Sequence, residues 1–279
     1  EGPAAGREVL CNPASARISR VAGLSRRNAR AKHRRFLVEG PQGVREAVRH
    51  VPGRVLDVYL TEVALERHSE IWDEAVAAGL YVHVTTQQVM DAMSPDAQGL
   101  LAVVATEEVT GSEALAAALE GARLVAVLTQ AQDPGNAGTI IRAADAAGAD
   151  AVVLVRGSVD PTAPKVVRST AGSLFHLPVV TGVALDDAVT AVHNAGLTVL
   201  AADGRGDFDL FEAESLLEAP SAWLLGNEAH GLPPEALSRA DAVASIPIYG
   251  KAESLNVAAA AAVCLYASAR AQAQNSGRS

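Results

Sequence analysis

The chain has 279 residues, 49% of them hydrophobic, and two cysteines, Cys11 and Cys264, that lie far apart and outside any Cys or His cluster. That length and apolar content suit one large domain or two smaller ones; they exclude a fibrous or wholly disordered chain, and the cysteine spacing suggests neither a disulfide framework nor a Cys/His zinc site. The formal net charge of −9 is unevenly spread, because Arg17, Arg20, Arg26, Arg27, Arg30, Lys32, Arg34 and Arg35 are eight basic residues with no acid among them, leaving 15 basic against 32 acidic residues elsewhere. A basic arm on an acidic body can grip a phosphate backbone while the body stays in solution. No apolar run approaches the length of a membrane span and no apolar leader opens the sequence, so a cytoplasmic protein is expected.

In chain order, the basic arm occupies residues 1–35. Residues 36–40 read as a short strand and 41–50 as a helix begun by Pro41 and Gln42. Apolar periodicity predicts strands over 55–60, 81–84 and 100–105, and helices over 69–78 and 86–93. Residues 36–106 thus make a small α/β domain of a size able to fold alone. Residues 107–121, mildly acidic and holding Gly111 and Gly121, read as a linker, in part helical. Over 122–274 the alternation resumes, with strands predicted at 124–128, 151–155, 197–201, 222–225 and 244–246. An alanine-rich last helix over 255–272 has high intrinsic propensity and takes Cys264 as a small core residue. Such alternation predicts a mainly parallel sheet with helices on both faces.

Three polar clusters interrupt the second domain, each after a strand. Gln132 to Arg142 sets two glycines and Asn136 at a strand-to-helix junction, where free backbone N–H groups favour an anion, and Arg142 is expected in the first turns of that helix. Gly226-Asn227-Glu228 ends the apolar run Ala222 to Leu225, and Gly231, Pro233 and Pro234 follow. Beyond the carboxyl ends of strands such groups serve ligands, although an ordinary turn accounts for Gly226 and Asn227 equally well. In the third cluster, Ile246-Pro247-Ile248-Tyr249-Gly250 precedes Glu253-Ser254-Leu255-Asn256-Val257. Ser254 can cap the last helix, whereas Asn256, a poor helix former placed in its first turn, is left without a structural reason.

In order and spacing, Asn136-x-Gly138-x-x-x-Arg142, then Gly226-Asn227-Glu228-x-x-Gly231, then Ile246-Pro247-x-x-Gly250 and Ser254-Leu255-Asn256-Val257 resemble the SpoU/TrmH family of RNA ribose 2'-O-methyltransferases over residues 124–270. The stretch Phe36-Leu37-Val38-Glu39-Gly40 is similar to the small RNA substrate-binding domain that many members carry. The resemblance implies a catalytic domain threaded as a deep trefoil knot, which no reading of periodicity predicts. It implies S-adenosylmethionine as cofactor, held by Ala201, Ala202, Leu225, Gly226, Asn227, Ile246, Ile248, Ser254 and Leu255. It assigns catalysis to Arg142, with Asn136, Glu228, Ser254 and Asn256 around it, and it implies a homodimer and no metal. A guanidinium, with a pKa above about 12, is a poor base, so stabilisation of a developing alkoxide or pairing with RNA phosphate suits Arg142 better. The resemblance extends to Arg168-Ser169-Thr170-Ala171-Gly172-Ser173, where Arg168 joins Arg26, Arg27, Arg30, Lys32, Arg34 and Arg35 as an RNA contact.

The two-domain layout with a basic arm favours large-subunit ribosomal RNA over transfer RNA. Two other readings are weaker. A dinucleotide-binding enzyme lacks its GxGxxG after an early strand. A non-catalytic RNA-binding protein of the same fold has no reason to retain all five catalytic candidates. His83, His176 and His230 are taken as structural or incidental.

Overall fold

A computed structural model describes residues 8–226 and 231–276. The chain divides into two compact units, one formed by residues up to Glu107 together with Asp160–His176, the other by Glu108–Val159 and the residues from Leu177 onward.

The first unit is built on a four-stranded sheet of β1 (Arg35–Glu39), β2 (Val55–Thr61), β3 (Val82–Thr85) and β4 (Leu100–Ala105), in the order β1-β4-β2-β3. The strands read as nearly unbroken apolar runs because both faces are covered. Phe36, Val38, Val58, Leu60, Ala102 and Val104 share one face with the helices Pro41–His50 and Ser69–Ala77. Leu37, Tyr59, Leu101 and Val103 line the other, under the helices Ala16–Gly23 and Gln87–Met93.

This second cover gives the basic arm of residues 1–35 a packed side. Ile18, Val21 and Leu24 recur at helical spacing between the arginines, and their burial makes the arm part of the core. Arg30 is only 5% exposed, donating from Nη1 to the Leu24 and Ser25 carbonyls and from Nη2 to Asp160 at 3.0 Å. Its charge is neutralised within the unit, so Arg30 leaves the set of RNA contacts. Arg168 is likewise engaged, pairing with Glu39 at 2.8 Å and Asp96 at 3.3 Å. The segment Asp160–His176, expected to belong to the second domain, packs Val167 into the first unit's core and stacks Phe175 on Phe36 with ring centroids 6.3 Å apart.

The second unit holds a seven-stranded sheet of β5 (Leu124–Leu128), β6 (Ala151–Val155), β7 (Val179–Val183), β8 (Thr198–Ala202), β9 (Phe208–Asp209), β10 (Ser221–Leu225) and β11 (Ala242–Ser245). Their order is β7-β6-β5-β10-β8-β11-β9, and all its pairs are parallel, as alternation predicts. Alternate residues divide the faces. Ala222 and Leu224 join the core under the helices Gly111–Leu119 and Leu185–Asn194, while fully buried Trp223 points the opposite way and donates from Nε1 to Ser268 of the helix Val257–Ser276 at 2.8 Å. The stretch 107–121 is therefore no loose linker, since Leu115 and Leu119 are buried. β7 escaped the apolar pattern because it is an edge strand interrupted by Thr181 and Gly182. Cys264 is buried as expected, and burial pushes its thiol up to about 12, leaving it inert.

Candidate active site

Parallel strands deliver their connections to one edge, and the sheet order makes β5, β10, β8 and β11 consecutive neighbours. Four loops therefore leave the sheet side by side. β8 ends on Ala201 and Ala202, β10 ends on Leu225 just before Gly226, and β11 leads into Ile246, Ile248, Ser254 and Leu255. All of these predicted cofactor residues thus lie at or beyond the carboxyl ends of three adjacent strands, the usual place for a ligand in an α/β sheet. Asn227 and Glu228 lie outside the described residues.

Beyond β5 the chain enters the helix Pro134–Ala146. Asp133 caps it, accepting from the Asn136 backbone N–H at 2.8 Å, and Pro134 takes the first helical position, where a missing N–H costs nothing. Asn136 stands in the first turn. Arg142 emerges about two turns further along, exposed and with no hydrogen bond or ion pair among the described residues.

Asn256 is where the sequence expectation changes most. Its Oδ1 accepts from the backbone N–H groups of Ala258 at 2.8 Å and Ala259 at 3.2 Å, so Asn256, not Ser254, caps the helix Val257–Ser276. Its Nδ2 donates to Asn136 Oδ1 at 3.2 Å. One side chain therefore satisfies the opening of the last helix and ties the third motif to the first. Asn256→Ala is expected to cost about 1 kcal/mol as a lost cap. Asn256→Asp restores that cap but sets a carboxylate against Asn136 Oδ1. Thermal unfolding beside initial rates separates the roles: an aspartate variant with wild-type stability and wild-type turnover would reduce Asn256 to a cap.

Two further residues organise these loops without having been singled out in the sequence. The Asp203 side chain, directly after Ala202, is only 6% exposed and takes a two-pronged contact from Arg205 at 2.8 and 3.1 Å, which holds its carboxyl below the usual carboxylate range. The Leu232 backbone N–H also donates to it, tying the β8 connection to the chain after Gly231. Thr129 donates its N–H at 3.0 Å and its hydroxyl at 3.1 Å to the Leu225 carbonyl, fixing the end of β10 beside β5. An aspartate immediately after a strand end, followed by Gly204-Arg205-Gly206, was the available signal for the first.

A cavity of about 550 Å³ opens at the ends of β5, β6 and β7, between Gln130, Arg156 and Glu235. None of the predicted cofactor residues among the described ones lines it, and its link to them is Thr129. On the candidate cofactor loops, Ile248 is 39% and Leu255 40% exposed.

The SpoU rRNA methylase family profile matches residues 123–266. The chain is 35% identical to a Bacillus subtilis 23S rRNA (guanosine(2553)-2'-O)-methyltransferase over 248 residues, 87% of this chain and 92% of that one. It is 34% identical over 261 residues to a Streptomyces viridochromogenes 23S rRNA (uridine(2479)-2'-O)-methyltransferase, covering 88% and 86%. Among solved structures, an AdoMet-bound rRNA methyltransferase from Sinorhizobium meliloti superposes with a TM-score of 0.79 at 28% identity, covering 94% of this chain and 97% of that one.

Proposed function

Because the chain belongs to the SpoU rRNA methylase family, we propose that the loops beyond β5, β8, β10 and β11 are its methyl-transfer site. The protein is an S-adenosylmethionine-dependent RNA ribose 2'-O-methyltransferase acting on ribosomal RNA, and we assign its target to the large subunit. The observation that carries the site is the Asn136–Asn256 contact, which joins motifs 120 residues apart at one strand edge.

S-adenosylmethionine, when bound, supplies a methyl group already activated on a sulfonium. The residues present suit it. Ile248 and Leu255 offer exposed apolar surface for a purine, and Gly226 leaves the backbone bare beside Gly231 and Leu232. Ala201, Ala202, Leu225, Ile246, Ser254 and Asn227 complete the proposed binding set. On the RNA side, Arg142 offers an uncommitted charge to a phosphate or to the developing alkoxide, and Asn136, Asn256, Ser254 and Glu228 orient the ribose. The chemistry is tested by methylating 23S rRNA with labelled cofactor and hydrolysing it in alkali. A 2'-O-methylated linkage survives because the attacking hydroxyl is blocked; label recovered on a base would overturn the reading.

Two copies are proposed to pair through the second unit. Along one helix, six residues separate Asn136 from Arg142, about 9 Å in rise and about 120° in direction. The two side chains do not share a face, which supports a reading in which Arg142 serves a second copy's site. Exposed Tyr266, hydrogen-bonded to the Ala146 carbonyl at 3.2 Å, supplies apolar surface beside that helix. The trefoil threading and a cytoplasmic location belong to this same reading.

The first unit is proposed to hold RNA through the exposed Arg26, Arg27, Lys32, Arg34 and Arg35. Because the arm's apolar residues are core, truncation would damage the unit, and glutamine substitution is the clean test. Replacing Arg26, Arg27 and Lys32 together should weaken RNA binding and flatten its log–log salt dependence by about 0.7 for each phosphate no longer neutralised. An unchanged salt slope in filter-binding titrations would reduce these charges to a solvated face.

A further inference from the structure

His176, set aside in the sequence as incidental, meets two other ligand-type side chains within the first unit. Glu46 and His50 are four residues apart on the helix Pro41–His50 and so project from the same face. His176 follows the short turn Ser173–Phe175. The Nε2 atoms of His50 and His176 each lie 3.0 Å from the same oxygen, Glu46 Oε2, and the two rings meet edge to face with centroids 4.5 Å apart. All three ligand atoms lie within 4.8 Å of one another.

We propose that Glu46, His50 and His176 form a divalent-cation site, suited to Zn²⁺, that clips the helix Pro41–His50 to the segment ending at His176. Zinc takes imidazole nitrogen and carboxylate oxygen at about 2.0–2.2 Å in a tetrahedral array, which sets neighbouring ligand atoms about 3.3–3.4 Å apart. The two nitrogen-to-oxygen spacings are already within a few tenths of an ångström of that. Two imidazoles and one carboxylate select zinc over calcium or magnesium, which prefer oxygen alone. A fourth position stays open to water on the exposed side, where the His50 side chain is 47% accessible.

The carboxylate is held ready. A Cβ at Gly172 would come within 2.5 Å of Glu46 Cγ and 2.8 Å of Glu46 Cβ, so the backbone there presses directly on the glutamate stem. Arg45 Nε stands 3.6 Å from the second oxygen, Oε1, leaving Oε2 to the imidazoles. The ion has no part in methyl transfer; it closes a loop of 130 residues between Glu46 and His176, the kind of long closure whose entropy a clip offsets.

The test uses the full chain, stripped with a chelator and titrated calorimetrically with zinc chloride at neutral pH, beside thermal unfolding with and without zinc. The expected result is one equivalent bound and a higher midpoint with zinc, since an ion that binds only the folded chain stabilises it. His50→Ala and His176→Ala should each weaken binding by about tenfold or more and remove the zinc-dependent rise, while His83→Ala, whose ring pairs with Asp57 elsewhere, should change neither. His50 is exposed, so its variant folds even if Glu46→Gln does not. Absence of binding by the wild type, or binding that both histidine variants retain, would overturn the site.

Discussion

Arg142→Ala is expected to lose methyl transfer by about 10²–10³-fold, the loss typical of removing one donor aimed at developing negative charge, while binding S-adenosylmethionine with near wild-type affinity. The reason lies in placement. Arg142 is exposed, sits about two turns into its helix, and engages no described partner, so its removal leaves no buried group unsatisfied and no packing disturbed. Single-turnover methylation beside cofactor titration separates the two effects; an active variant would sink the assignment. Pairing adds a sharper test. If Arg142 serves the second copy's site, mixing inactive Arg142→Ala with a variant unable to bind cofactor should restore activity. In such a mixed dimer, the subunit that still binds cofactor receives an intact Arg142 from its partner. If Arg142 serves its own site, the mixture stays dead.

The sequence was most legible where one physical signal acted alone. β5 and β6 match their predicted bounds because strands covered on both faces read as continuous apolar runs. Failures came where one residue serves two purposes. The arm was read by its charge, yet Ile18, Val21 and Leu24 at helical spacing were the better guide to where it packs. In the sequence Asn256 reads as a misplaced helical residue; as the cap it has a structural reason, and its contact with Asn136 is the surplus that capping does not explain. The burial of Arg30 against Asp160 depends on a pairing 130 residues away, which no local pattern encodes. The same holds for Glu46 and His176. Spacing within the three motifs was readable, but that the strands preceding them end side by side follows from β10 lying between β5 and β8, an order set by topology.

Gly226→Val is expected to abolish measurable cofactor binding, with Gly226→Ala intermediate. The sequence suggested a glycine kept for a tight bend, but the structural reason is space. A Cβ at position 226 would stand 2.9 Å from the Gly231 carbonyl carbon and the Leu232 nitrogen, and 3.0 Å from the Gly231 oxygen. These are backbone atoms and cannot swing aside as a long side chain would. Leu232 is itself held, since its N–H donates to the buried Asp203 carboxylate and its side chain lies in the core. Any side chain at 226 must therefore shift either the end of β10, which Thr129 fixes, or the chain after Gly231, which Asp203 fixes. Distortion of this kind costs about 1–3 kcal/mol, or about one to two orders of magnitude in affinity if it falls on the bound conformation. The added methyl groups of valine also occupy the bare backbone that the cofactor would approach. Calorimetric titration with S-adenosylmethionine, beside circular dichroism to establish that the variants fold, reads the result directly. Wild-type affinity in a folded Gly226→Val variant would move the cofactor away from the end of β10. Graded loss through alanine to valine, with folding preserved, would fix it there.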